Sequence, residues 1–266
     1  MQNSACMWIR DGVLINRMHV NPVAFAAAYW LRLSKQNRKS IEIETLINFG
    51  FEKSGFSCAE KMRLFNEEKA NLLENINAAA DLYNDIAEVA GAKCSYFNFA
   101  PELLHKLSMD GCKNFITSAL EQKILDDWSA SEQGLKIKDS LAEMLGKRDG
   151  FSKGYDHFNY ASLQTDGGRI FYIADAISEI AAASKYATEF NITKIGFAYH
   201  IDAGAVEQAY EIVSSSHELP VLDKSRLTLP EPFEIVGALK SAGADAVVMG
   251  SAENIFANLA IKLKNI

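Results

Sequence analysis

Five short, nearly continuous apolar runs set the limits on how this chain can fold: residues 5–9, 114–117, 170–174, 194–198 and 246–249. A strand with one face in water alternates apolar and polar residues, so a run without alternation needs cover on both faces. Helical patterns lie between the runs. One at 101–108 precedes the second run, one at 177–190 follows the third, and one at 233–241, closed by Gly243, precedes the fifth. Strand and helix in alternation predict an α/β protein built on a doubly wound parallel sheet. Ligands of such sheets bind at the carboxyl ends of the strands, and Asp11, Thr117 and Asp175 fall there.

The stretch 16–95 has no strand-like run. Pro22 opens a helical pattern at 23–33, and another follows at 41–48. A glycine-containing link from Gly50 to Gly55 leads to longer patterns at 58–76 and 78–90. An all-helical insert between the first and second strands reads as a small lid, with crossings near 14–21 and 93–100. The expected division is therefore a core of 1–15 and 96–266 and a helical cap of 16–95. Segment 200–232 is a second irregularity, with a helical pattern at 205–214 and a loop holding Pro220, Pro230 and Pro232.

A net charge of -7 and a pI near 5.3 argue against a binder of nucleic-acid backbones, which needs a basic face. No apolar run approaches the roughly 20 residues that span a bilayer. The first residues lack a basic segment followed by an apolar one, so no secretory signal is visible and a cytoplasmic location is expected. Cys6, Cys58, Cys94 and Cys112 show no Cys-x-x-Cys spacing and read as buried, reduced thiols.

Four elements at strand ends carry the chemistry. The first is Trp8-Ile9-Arg10-Asp11-Gly12-Val13-Leu14, an apolar run entering an Asp-Gly turn. The second is Phe115-Ile116-Thr117-Ser118, a strand ending in hydroxyls. The third is Lys153-Gly154, after Gly150-Phe151-Ser152. The fourth is Tyr172-Ile173-Ala174-Asp175, with Glu179 four residues on. In this order, with a helical insert in the first gap and an Ala-Gly-Ala-Asp element at 242–245, the chain resembles the haloacid dehalogenase superfamily. The likeness is to its phosphoglycolate-phosphatase-like branch, and it covers nearly the whole chain. It implies a Rossmann-like core with a helical cap and hydrolase chemistry of the phosphatase type.

In that superfamily the first motif is Asp-x-Asp-Gly, and its first Asp is the covalent nucleophile. Asp11 and Gly12 match the second Asp and the Gly, whereas the nucleophile's position holds Ile9. The resemblance assigns Asp11 as the acid/base, with Lys153 beside it in the catalytic set. It gives Thr117, Ser118 and Lys153 to phosphate or ligand binding. It gives Asp175, Glu179 and Asp11 to a magnesium ion, a hard cation that takes oxygen ligands. Ile9 offers no lone pair to phosphorus or to metal, so aspartyl-phosphate chemistry is expected to be absent and magnesium binding weak or lost.

Three readings follow. The chain is a pseudoenzyme that binds a small ligand, phosphorylated or not, or a protein partner. Alternatively, Asp11 does acid/base work without a covalent intermediate, with Lys153 or His200. Third, a neighbouring group replaces the nucleophile. Arg10 points away from Asp11 if the strand stays regular and reads as structural. With Ile9 in place, Lys153 is expected to pair with Asp175. Tyr199, His200 and Asp202 fall near the mouth of the cleft and His19 where the chain leaves the core. Each has a plain loop reading, and the five histidines have no metal-ligand spacing.

Overall fold

The computed structural model describes residues 3–53, 56–69, 71–251 and 254–265. Its chain divides into two compact units. The first holds Met1–Asn16, Ser95–His200 and Pro232–Ile266, and the second holds Arg17–Cys94 and Ile201–Glu231.

The first unit is built on a parallel sheet. In chain order its strands are β1 (Ala5–Ile9), β2 (Lys113–Glu121), β3 (Glu143–Lys147), β4 (Ile170–Ala174), β5 (Ile192–Tyr199) and β6 (Ala246–Gly250). Their order across the sheet is β3-β2-β1-β4-β5-β6. β1 lies centrally, with Ala5 opposite Lys113 on one side and Ile170 on the other. Every residue of β1 and of β4 is buried, as their unbroken apolar runs require. β2 continues past its apolar run. Beyond an irregularity between Thr117 and Glu121 it alternates in exposure, and there it lies against only β3. β3 was not visible as an apolar run, because an edge strand has less need of one.

The core centres on Trp8. Its ring stacks near Phe256, and Phe97 and Phe197 close the cluster edge-on. The indole N–H donates to the Asn114 side-chain oxygen at 3.1 Å. The Asn114 amide in turn donates to the carbonyls of Leu104 and Ser140. One buried amide thus satisfies three segments that apolar contacts alone would leave with unpaired groups. Cys6 and Cys112 are also buried here, their sulfurs 3.4 Å apart. Cys58 and Cys94 are only half-buried.

In the second unit the helices are α1 (Val20–Arg32), α2 (Ile43–Glu52), α3 (Cys58–Glu68) and α4 (Ile76–Gly91). The continuous pattern expected over 58–76 is broken. α3 ends at Glu68, Asn71 takes a left-handed conformation (φ 57°), and Asn75 caps α4 by accepting from the Ala78 amide at 3.0 Å. Asn is the residue that tolerates both positions. Of the Gly50 to Gly55 link, Gly55 lies outside the described residues. Phe25, Tyr29, Phe49 and Phe65 pack as an aromatic core.

Back in the first unit come α5 (Ala100–Met109), α6 (Gln122–Ser129), α7 (Glu132–Leu135), α8 (Tyr155–Gln164) and α9 (Ile177–Ser184). α9 is shorter than the 177–190 pattern suggested. The Ser184 hydroxyl bonds to the carbonyls of Ile180 and Ala242, competing with the helix ladder, and turns follow. α10 (Ala203–Ser214) belongs to the second unit, and α11 (Pro232–Ser241) and α12 (Ile255–Asn265) to the first.

The sequence reading put 201–231 with the core, whereas its contacts group it with the helices. The physical reason is local. Asn48 of α2 donates to the Arg226 carbonyl and accepts from the Thr228 amide, Glu44 accepts from Asp223, and Arg226 pairs with Glu42.

Candidate functional site

The carboxyl end of β1 sets the site. Ile9 is 9% exposed and lies in register with Thr117 of β2. The strand stops at Ile9 and the chain turns tightly. The Leu14 and Ile15 amides both donate to the Arg10 carbonyl, and Gly12 N–H donates to Ile15 O at 2.9 Å. Because the strand has ended, alternation no longer governs Arg10. Its side chain folds onto Asp11 rather than away from it, which corrects the structural reading made from strand parity. Arg10 Nε donates to Oδ1 at 2.9 Å and Nη2 to Oδ2 at 2.8 Å. Such a two-point guanidinium–carboxylate clasp is the strong form of this pair. The guanidinium also lies over the Trp128 ring, 5.2 Å from its centre. Trp128 is held by a hydrogen bond to the Gln133 side chain, whose backbone carbonyl accepts from Tyr96.

Gly12 has φ +91°, and a Cβ there would come 2.2 Å from Asp175 Oδ2. Only glycine lets the turn lie directly against the Asp175 carboxyl group. Burial pushes the Asp175 carboxyl up to about 7, and the charges of Glu179 and Asp11 add to this. Its own backbone amide and Lys153 oppose the shift.

Lys153 does not pair with Asp175 as expected. Its ammonium donates to Glu179 Oε1 at 2.5 Å, and the Tyr172 hydroxyl donates to Oε2 at 2.5 Å. Glu179 stands one helical turn beyond Asp175, in the first turn of α9, so its longer side chain meets Lys153 first.

Thr117 is buried, and its hydroxyl lies 2.7 Å from His157 Nδ1. Ser118 is spent locally, its hydroxyl oxygen accepting from the Leu120 amide. His157, on α8, is fully buried, and beyond Thr117 its imidazole also meets the Gly146 backbone. Burial pushes this imidazole down to about 4, so it is neutral at physiological pH. Sequence spacing gave no sign of it, since its partner is 40 residues away.

The remaining candidates separate. His19 and Asp202 meet in the helical unit. Burial lowers the His19 imidazole to about 4 against the pull of Asp202, while the Asp202 carboxylate caps α10. His200 is exposed and belongs to the other unit.

The donor set does not fit a magnesium ion. An octahedral shell needs several free oxygens. Ile9 supplies none, both Asp11 side-chain oxygens accept from Arg10, and both Glu179 oxygens are taken by Lys153 and Tyr172, which leaves Asp175 as the remaining carboxylate of the set. Among the described residues no group of three or more His, Cys, Asp and Glu side chains is arranged to hold a metal.

Neither a family model nor a curated protein sequence matches the chain. Solved structures do. A hydrolase from Pseudomonas syringae superposes with a TM-score of 0.59 at 18% identity, covering 99% of each chain. A structure described as a predicted phosphoglycolate phosphatase from Haemophilus somnus gives 0.59 at 13% identity, over 97% of this chain and 98% of its own. One described as a haloacid dehalogenase-like hydrolase from Bacteroides fragilis gives 0.57 at 11% identity, over 94% and 98%. The fold is the haloacid dehalogenase-like one. At these identities the likeness carries fold and not activity.

Proposed function

We propose that this chain is a pseudoenzyme on a phosphatase scaffold, one that binds a small ligand at the carboxyl ends of β1 and β4 and forms no aspartyl-phosphate. The observation that carries this reading is the pairing of an apolar Ile9 at the tip of β1 with an Asp11 whose carboxylate is clasped by Arg10. The nucleophile's position has no nucleophilic atom. The acid/base position holds a carboxylate with both oxygens already accepting hydrogen bonds, which disfavours the acid/base alternative. Thr117 and Lys153, the phosphate-holding residues by resemblance, are engaged by His157 and Glu179. Loss of a covalent nucleophile costs several orders of magnitude in rate.

The test is a screen with a panel of phosphoesters and acetyl phosphate, followed by rapid quench and intact-mass measurement. The expected result is no turnover above background and no mass increment of one phosphoryl group. Metal-dependent turnover with a trapped, hydroxylamine-sensitive phosphoenzyme would overturn it. Thermal-shift titration with phosphate and vanadate reports whether the ligand is phosphoryl-like. A cytoplasmic location accords with this reading. Among the described residues no helix is long and apolar enough to cross a membrane.

A further inference from the structure

We propose that Arg10 is a resident counter-cation of the cleft, so that a divalent metal is kept out by Arg10 as well as by Ile9. The proposal rests on the pseudoenzyme reading and adds a second, independent barrier to it.

At the ends of β1 and β4 three acids lie close enough for the charges of Asp11 and Glu179 to act on Asp175. Two fixed cations face them. Arg10 holds Asp11 through two hydrogen bonds of 2.8 and 2.9 Å, and Lys153 holds Glu179 at 2.5 Å. Only Asp175 is left without a cation bonded to it in this set, and its carboxyl is packed against the Gly12 turn. Protein sites for small divalent ions use one or two carboxylates completed by waters and substrate oxygens, so Asp175 alone is at the weak end of what holds such an ion.

Arg10 cannot readily swing aside. Its side chain is 8% exposed, against 30% for Asp11. Its guanidinium is backed by the Trp128 ring, and Trp128 is anchored by Gln133. The cation is therefore built into the end of the strand. A metal entering beside Asp11 would meet a positive charge that has nowhere to go, in a partly buried place where charges are poorly screened. Restoring an acid at position 9 would add a ligand but leave this charge in place.

The experiment is a manganese titration read by the electron paramagnetic resonance signal of the free ion, on the full chain. Four proteins are compared: wild type, Ile9→Asp, Arg10→Met and Ile9→Asp/Arg10→Met. Circular dichroism verifies the fold of each. Wild type and Ile9→Asp are expected to leave the ion free, and the double variant to bind at least about tenfold more tightly than Ile9→Asp.

Manganese bound by the wild type, or bound by Ile9→Asp as tightly as by the double variant, overturns the proposal. If the double variant does not fold, Arg10→Gln replaces Arg10→Met and the same comparison with Ile9→Asp decides. Phosphoenzyme trapping on the wild type, run in parallel, separates the two ideas. A trapped phosphoenzyme removes the pseudoenzyme reading, whereas manganese bound without trapping removes only the role of Arg10.

Discussion

His157 should make the core sensitive to acid, by an amount the structure sets. In an unfolded chain its imidazole takes a proton near pH 6.5, whereas burial in the fold holds it to about 4. Between those values the unfolded state binds one proton more than the folded state, so stability falls as pH falls. Above 6.5 neither state is protonated at this site and the contribution is flat. From pH 6.5 to pH 5 the loss is about 2 kcal/mol, at ~1.4 kcal/mol per pH unit. The residue is fully buried, so solvent does little to reduce this.

His157→Asn keeps a donor near Thr117 and removes the titration. Urea unfolding at pH 7 and pH 5, in a Trp30→Phe background so that fluorescence reports Trp8 and Trp128 of the core unit, measures both proteins. The wild type should lose about 2 kcal/mol more than the variant on going to pH 5. His19 titrates in the same range but is common to both proteins and cancels. An unchanged difference between the two pH values, with a His157 proton resonance titrating near pH 6.5, would refute the reasoning.

Gly12→Ala should cost about 3 kcal/mol, from a strained positive φ and from crowding of Asp175. Urea unfolding in wild-type and Asp175→Ala backgrounds should show the cost falling by at least about 1 kcal/mol when the carboxylate is absent. Asn75→Ala removes the cap of α4 and should lower the stability of the helical unit by about 1 kcal/mol, read from Trp30 fluorescence. No change in its midpoint would show that the cap contributes nothing.

What the sequence revealed depended on burial. β1 and β4 are covered on both faces, and their apolar runs ended where the strands do. β3, with Glu143 and Lys147 at its ends, lies at the sheet edge and had no such signal. The break between α3 and α4 was written in Asn71 and Asn75 but masked by apolar residues on either side of it.

At the site, positions at strand ends were legible and partners were not. Arg10 was assigned by strand alternation at a point where the strand had already ended. Lys153 was matched to the nearer acid in sequence, and the reach of Glu179 decided otherwise. The Thr117–His157 pair joins a strand to a helix through the fold alone. No local pattern encodes such a pair.

The register of the central strand has a further consequence, for how the chain is made. Ala5 is paired with Lys113 and Ile170, so five apolar residues wait for a first partner synthesised about a hundred residues later. The helical unit emerges in the interval, yet it too is incomplete until 201–231 has been added. Both units are thus incomplete until late in synthesis. Folding should therefore be slow and dominated by distant contacts, and a chain stalled before residue 113 would expose β1 as a sticky end for chaperones or for its own copies.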